Sequence, residues 1–171
     1  MEQRLTPAPP ADAVTAAELR DIGLFGGLGD ETLQHLAANL RVLNRGAGEM
    51  IFMEGAEARE FYVLLRGEVE IFKTLKTGGE ARLSTLSIGH WFGEMSVFDA
   101  QHRSANVRTL VPCRLLVVTS RDLDVLYRRD LKSYTLLVLN VTRELARRLR
   151  LVDTLVADFI GQVGNQHIGY G

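Results

Sequence analysis

Between Leu40 and about Thr119 the chain is a succession of short apolar or alternating runs separated by glycines. Met50-Ile51-Phe52-Met53, Phe61-Tyr62-Val63-Leu64-Leu65, Val69-Glu70-Ile71-Phe72, Leu83-Ser84-Thr85-Leu86, Val107-Arg108-Thr109-Leu110 and Leu115-Leu116-Val117-Val118 read as strands. Gly48, Gly55, Gly67, Gly78-Gly79 and Gly89 fall between them, where turns need positive φ or tight reversal. Arg66-Gly67-Glu68 and Thr77-Gly78-Gly79-Glu80 are expected as hairpins. Short strands at regular spacing close into a sandwich or barrel rather than a parallel sheet. The expected fold is mainly β with flanking helices: an eight-stranded double-sheet roll (double-stranded β-helix, or jelly roll).

Helices flank this region. Thr15-Ala16-Ala17-Glu18 has capping-box spacing for a short helix through Asp21. Asp30 is expected to cap a second, with Leu33, Leu36, Ala37 and Leu40 on one stripe. Ser120 is expected to cap a third, running to about Arg129. A longer one follows, and its Val138, Val141, Leu145, Val152, Leu155 and Phe159 recur at three- and four-residue steps, with Arg148 on the stripe. That narrow seam suits a helix pairing with its twin. The alternative is a helix lying wholly on its own domain. Leu136, Leu137, Leu139, Leu149 and Leu151 widen the stripe, so part is expected on the roll. Arg143, Arg147, Arg148 and Arg150 form a basic cluster, read as a solvated face rather than a phosphate contact. Domain organisation follows: a flexible tail over 1–14, the roll with its helices over 15–130, the long C-terminal helix over 131–160, and a glycine-bearing tail over 161–171.

Composition excludes several classes. The 171 residues are 46% apolar and 24% charged, ordinary for one globular domain with an appendage. The net charge of −1 carries no global basic field for nucleic acid. Cys113 is the single cysteine, so no intrachain disulfide or Cys-based zinc site can form, and it reads as a strand core residue. No apolar run approaches the ~18 residues of a spanning helix, and the N-terminus lacks a signal pattern. No membrane partner is expected, and the cytoplasm is the default compartment.

Chemistry concentrates in Trp91-Phe92-Gly93-Glu94-Met95-Ser96-Val97-Phe98, followed by Arg103-Ser104-Ala105. Gly93 permits backbone angles closed to other residues and lets another group approach closely. Met95, Val97 and Phe98 can close one helical turn after it. Nine positions beyond Glu94, Arg103 supplies a planar fork of donors for phosphate or carboxylate. Ser104 adds a hydroxyl, and Ser104 and Ala105 add amides. One carboxylate beside one donor cluster suits a ligand carrying both sugar hydroxyls and a phosphate, although two such residues can equally form a surface ion pair worth about 0–1 kcal/mol.

These segments resemble the phosphate-binding cassette of cyclic nucleotide-binding domains, as in the catabolite activator protein family and the regulatory subunits of cyclic-nucleotide-dependent kinases. The resemblance implies that Phe92, Gly93, Glu94, Met95, Ser96, Arg103, Ser104 and Ala105 form the ligand site. Glu94 would accept from the ribose 2′-hydroxyl and Arg103 would pair with the cyclic phosphate. His102 stands where many members carry proline. Laying Ala146-Arg147-Arg148-Leu149 on the activator family's long helix puts Val152 and Asp153, with Thr154 next, where adjacent hydroxyls read adenine. That departure leaves the purine open, with cyclic AMP first and cyclic GMP second. The resemblance also implies a homodimer through the 131–160 helix and an effector protein that the sequence does not identify.

Three other readings bear on the same residues. A DNA-binding factor needs several tens of further residues after the long helix, and only a dozen follow Phe159. A metalloenzyme could enlist His90, Glu94 and His102, but the paired His-x-His spacing is absent and Arg103 opposes a cation. No catalytic residue and no metal or other cofactor is therefore assigned. A degenerate domain could keep the roll, leave the pocket unused and serve only protein contact.

Overall fold

The computed structural model describes residues 13–167. Eight strands form two antiparallel four-stranded sheets: β1 (Arg41–Arg45), β2 (Met50–Phe52), β3 (Glu60–Arg66), β4 (Val69–Thr74), β5 (Glu80–Leu86), β6 (Trp91–Phe92), β7 (Asn106–Thr109) and β8 (Cys113–Thr119). Their orders are β1-β8-β3-β6 and β2-β7-β4-β5, the expected double-sheet roll.

The first sheet is a middle layer, and its sequence shows why. On β3, Phe61, Val63 and Leu65 pack toward the helices, while Tyr62 and Leu64 face the roll interior. On β8, Leu116 and Val118 face the helices, and Cys113, Leu115 and Val117 the interior. Alternate side chains point to opposite faces, so a strand covered on both sides reads as a continuous apolar run. Strand β6 obeys the same rule, with Trp91 on the helix side and Phe92 inside.

The turn at Thr77–Glu80 is the expected hairpin, since β4 and β5 pair antiparallel from Val69↔Leu86 to Thr74↔Glu80. Arg66-Gly67-Glu68 is not one. It carries the chain from one sheet to the other. Gly67 has φ +94°, and a Cβ there would lie 2.6 Å from both Cys113 Sγ and Pro112 O. The crossing therefore requires glycine.

Five α-helices cover the first sheet or interrupt the roll: α1 (Ala16–Arg20), α2 (Asp30–Asn39), α3 (Glu94–Phe98), α4 (Ser120–Arg129) and α5 (Leu131–His167). Thr15 and Glu18 make the expected capping box. Two expected caps sit elsewhere. Gly29, not Asp30, precedes α2, and the Asp30 carboxylate instead takes Arg20 Nη2 at 2.6 Å. Thr119 caps α4 in a capping box with Asp122, and Ser120 Oγ donates to Arg59 O.

Helix α5 starts where expected and is anchored there. Asp130 Oδ1 accepts from Ser133 N at 3.1 Å, and its Oδ2 accepts from Ser133 Oγ at 2.5 Å and from Thr32 Oγ1 of α2 at 2.7 Å. Leu137 and Val141 are buried against the domain, and Asn140 Nδ2 donates to Leu24 O and Gly26 O. Beyond Arg148 the helix leaves the roll: Leu149, Val152, Leu155 and Phe159 are all more than half exposed. At about 1.5 Å per residue the part from Leu149 to His167 reaches roughly 28 Å further. The helix passes the expected end at residue 160 and includes 161–167, assigned above to a tail. The other expected tail is overrun at Val14, which is 4% exposed, and its residues 1–12, like 168–171, lie outside the described residues. Among the described residues no helix is long and apolar enough to cross a membrane.

Candidate ligand-binding site

The site grows out of β6. Trp91 and Phe92 pair with Val63 and Tyr62 of β3, which fixes where the chain leaves the sheet. Gly93 then turns it into α3 with φ +81°. A Cβ at Gly93 would lie 2.7 Å from Arg103 Nη1 and 3.2 Å from Phe52 Cε1. The left-handed angle favours glycine here, and an added Cβ would also press on the Phe52 ring and the Arg103 guanidinium.

That turn delivers Glu94 inward at 2% exposure. Its Oε1 accepts from Arg148 Nη1 at 2.9 Å. The same guanidinium gives Nη2 to Trp91 O at 2.9 Å and Nε to Glu144 Oε1 at 2.8 Å. Glu144 is also paired with Arg147. Burial pushes the Glu94 carboxyl above its usual range, opposed by Arg148. Burial acts on Glu144 in the same direction, but its bonds to Arg148 and Arg147 outweigh it and hold that carboxyl low.

Arg103 enters from the other end of the loop and is 3% exposed. Its Nη1 donates to Gly93 O at 2.9 Å and its Nη2 to Glu60 O at 2.7 Å. The guanidinium carbon lies 4.0 Å from the centre of the Phe52 ring and 5.9 Å from that of Tyr62. Its Nε is buried without an acceptor among the described residues. Desolvation lowers its pKa, partly offset by Tyr62, Glu60 and Glu94. Tyr62, whose hydroxyl donates to Glu60, is pushed up to about 12, first by burial and then by that carboxylate. Backbone bonds hold Arg103 in register, from its N to Ala56 O and from Gly55 N to its own O.

Of the remaining sequence-derived site residues, Phe92 and Ala105 are buried, Ser96 is buried with Oγ donating to His102 O at 3.2 Å, and Met95 and Ser104 are exposed. The structure therefore gathers Phe92 through Ser96 with Arg103 through Ala105 at one loop. It does not bring Val152, Asp153 and Thr154 there: all three are exposed, beyond Arg148 on α5.

Sequence reasoning missed Arg148. Its side chain is not part of a solvated basic face but pairs with Glu94 and Glu144. The available signal was a lone arginine on an otherwise apolar stripe. Sequence reasoning also missed Phe52 and Tyr62 as the aromatic wall of Arg103. Among the described residues no cluster of three or more His, Cys, Asp or Glu side chains could hold a metal, so His90 and His102 do not join Glu94 in one.

Known proteins share this fold. A "CRP-like cAMP-activated global transcriptional regulator" from Mycobacterium tuberculosis is 29% identical over 149 residues, 84% of this chain and 65% of that protein. A "Cyclic AMP receptor protein" from Thermus thermophilus is 33% identical over 130 residues, 76% of this chain and 58% of that protein. The chain thus spans less than two thirds of the length of either relative. The crystal structure of the Thermus thermophilus catabolite activator protein superposes with a TM-score of 0.71 at 32% identity, covering 81% of this chain and 63% of that one. The family model "Cyclic nucleotide-binding domain" matches residues 43–130, from β1 through the cassette to the end of α4, and on that match the chain belongs to the cyclic nucleotide-binding domain family.

Proposed function

We propose that this chain is a non-enzymatic, cytoplasmic cyclic-nucleotide sensor, binding cyclic AMP, or cyclic GMP as second choice, in the roll and signalling through α5. The observation that carries the reading is that two buried side chains, Glu94 and Arg103, stand at the two ends of one loop, with Arg103 bonded to the carbonyl of Gly93 next to Glu94. Glu94 accepts from the ribose 2′-hydroxyl. Arg103, with Nε already lacking an acceptor, turns from its two backbone carbonyls to the cyclic phosphate. Ser104 and the local amides complete the cradle. The Mycobacterium and Thermus relatives, by name a cAMP-activated regulator and a cyclic AMP receptor protein, favour cyclic AMP.

Occupancy reaches α5 through Arg148. A ligand that binds Glu94 changes what Glu94 offers Arg148, and a switch works to the extent that the ligand prefers one arrangement of α5. In the bound arrangement Val152, Asp153 and Thr154 close over the base. The functional division is then a sensing roll over 15–130 and a relay helix over 131–160, with the exposed half of α5 pairing with a second copy and an effector protein reading the result.

One observation favours a second reading, a domain that has lost its ligand and serves only protein contact. Both terminal nitrogens of Arg103 are already bonded, and Arg148 already occupies Glu94. Calorimetric titration of the wild type and Arg103→Ala with cyclic AMP and cyclic GMP separates the two. The sensor reading expects binding in the wild type and a loss on the order of a hundredfold in the variant. Negligible heat in both would support the second.

A further inference from the structure

The basic segment of α5 is only partly used by the cassette. Arg148 turns inward, whereas Arg143, Arg147 and Arg150 recur at i, i+4 and i+7 and are all exposed, so they share one outer face. Between that face and the loop leading into β6 lies a cleft of about 490 Å³, whose lining includes Ile88, His90, Trp91, Asn140, Arg143 and Arg147.

Two features define what such a cleft accepts. Its uncommitted polar capacity is mostly donor: Arg143 spends one nitrogen on Asn140 Oδ1, and Arg147 one on Glu144. Glu144, also in the wall, already holds both Arg147 and Arg148 and has little left for a cation. Beside these donors is apolar surface. Ile88 is 68% exposed and shares the lining with Trp91. An occupant with carboxylates and an apolar side chain answers both features. Planar guanidinium forks pair well with carboxylates.

We propose that this cleft docks an acidic segment of a partner protein. A carboxylate pairs with Arg143 and Arg147, an apolar side chain covers Ile88 and the Trp91 ring, and further acidic residues follow the stripe toward Arg150. A phosphate backbone suits the site less well. Nucleic-acid affinity rests on many neutralised phosphates, and the cleft offers two arginines, with Arg150 further along the stripe. The cleft shares Trp91 and Glu144 with the Arg148 bridge to Glu94, but neither Glu94 nor Arg103 is in its lining, so the proposal does not require nucleotide binding.

Trp91 is the only tryptophan, which makes its indole resonance and fluorescence a direct reporter. The full chain is titrated with the acetylated, amidated peptide Leu-Glu-Glu-Leu-Glu, with its counterpart Leu-Gln-Gln-Leu-Gln, and with an oligothymidylate. The proposal expects a saturable Trp91 response to the acidic peptide. That response is at least about tenfold weaker for the neutral peptide and for the Arg143→Gln/Arg147→Gln variant. An absent response, an equal response to the neutral peptide, or tighter binding of the oligonucleotide would overturn it. A parallel cyclic AMP titration of the same sample reports on the cassette separately.

Discussion

Arg148 Nη1 donates to Glu94 Oε1 at 2.9 Å, joining α5 to the cassette across 54 positions of sequence. Glu94 is 2% exposed, so the bond compensates a carboxylate that burial alone would drive toward its neutral form. The helix is therefore fastened to the candidate site, not merely packed near it.

A double-mutant cycle tests this fastening. Glu94→Gln and Arg148→Met are each expected to destabilise the fold, Arg148→Met more, because it leaves a buried carboxylate without its cation. The coupling energy from urea denaturation should be on the order of 1–3 kcal/mol. The pH dependence has a definite sign. A carboxyl whose folded pKa is raised binds its proton more readily when folded, so its contribution to stability grows as pH falls through that raised value. In Arg148→Met this gain should be larger, since the cation opposing the shift is gone.

Gly93→Ala combines a strained left-handed backbone angle with close contacts to Phe52 and the Arg103 guanidinium. The angle alone costs roughly 1–2 kcal/mol. Gly89→Ala is the matched control, with φ +83° and no atom within 4 Å of the added Cβ. Chemical denaturation should show Gly93→Ala as the more destabilised of the two. Calorimetry should show nucleotide binding lost in Gly93→Ala and kept in Gly89→Ala.

Asp130 governs the other end of α5. Hydrogen bonds from Ser133 and Thr32 hold its carboxyl at about 2, below the ordinary 3.8. The stability it contributes is present above the ordinary value and is lost as pH falls from there through about 2. Asp130→Asn should lower the melting temperature at neutral pH. It should also flatten that acid limb in melts recorded across this range.

The exposed half of α5 is the basis for expecting a homodimer. Leu155 and Phe159, 59% and 66% exposed, lie on the seam. Analytical ultracentrifugation should find the wild type dimeric and Leu155→Asp/Phe159→Asp monomeric. A monomeric wild type would contradict the pairing.

Much of this was legible in the sequence because its signals are local. Gly93, Glu94 and Arg103 mark a candidate site by type and spacing, and β3 and β8 show as apolar runs, as strands covered on both faces do. Strand β1 was harder to see: Arg41–Arg45 is an edge strand with a half-exposed, polar-rich pattern. Strand β6 has two residues, too few for any period. The change of sheet at Gly67 depends on Cys113 and Pro112, far along the chain. Arg148 was misread for the same reason: its partner Glu94 is remote in sequence, while its neighbours are arginines that do face solvent.

The most direct test pairs one ligand atom with one side chain. Wild type and Glu94→Met are titrated calorimetrically with cyclic AMP and with 2′-deoxy cyclic AMP. If Glu94 grips the ribose hydroxyl, the deoxy ligand binds the wild type about tenfold or more weakly, as a charge-assisted hydrogen bond requires. In Glu94→Met that difference disappears. An equal penalty in both proteins, or none in the wild type, would contradict the account.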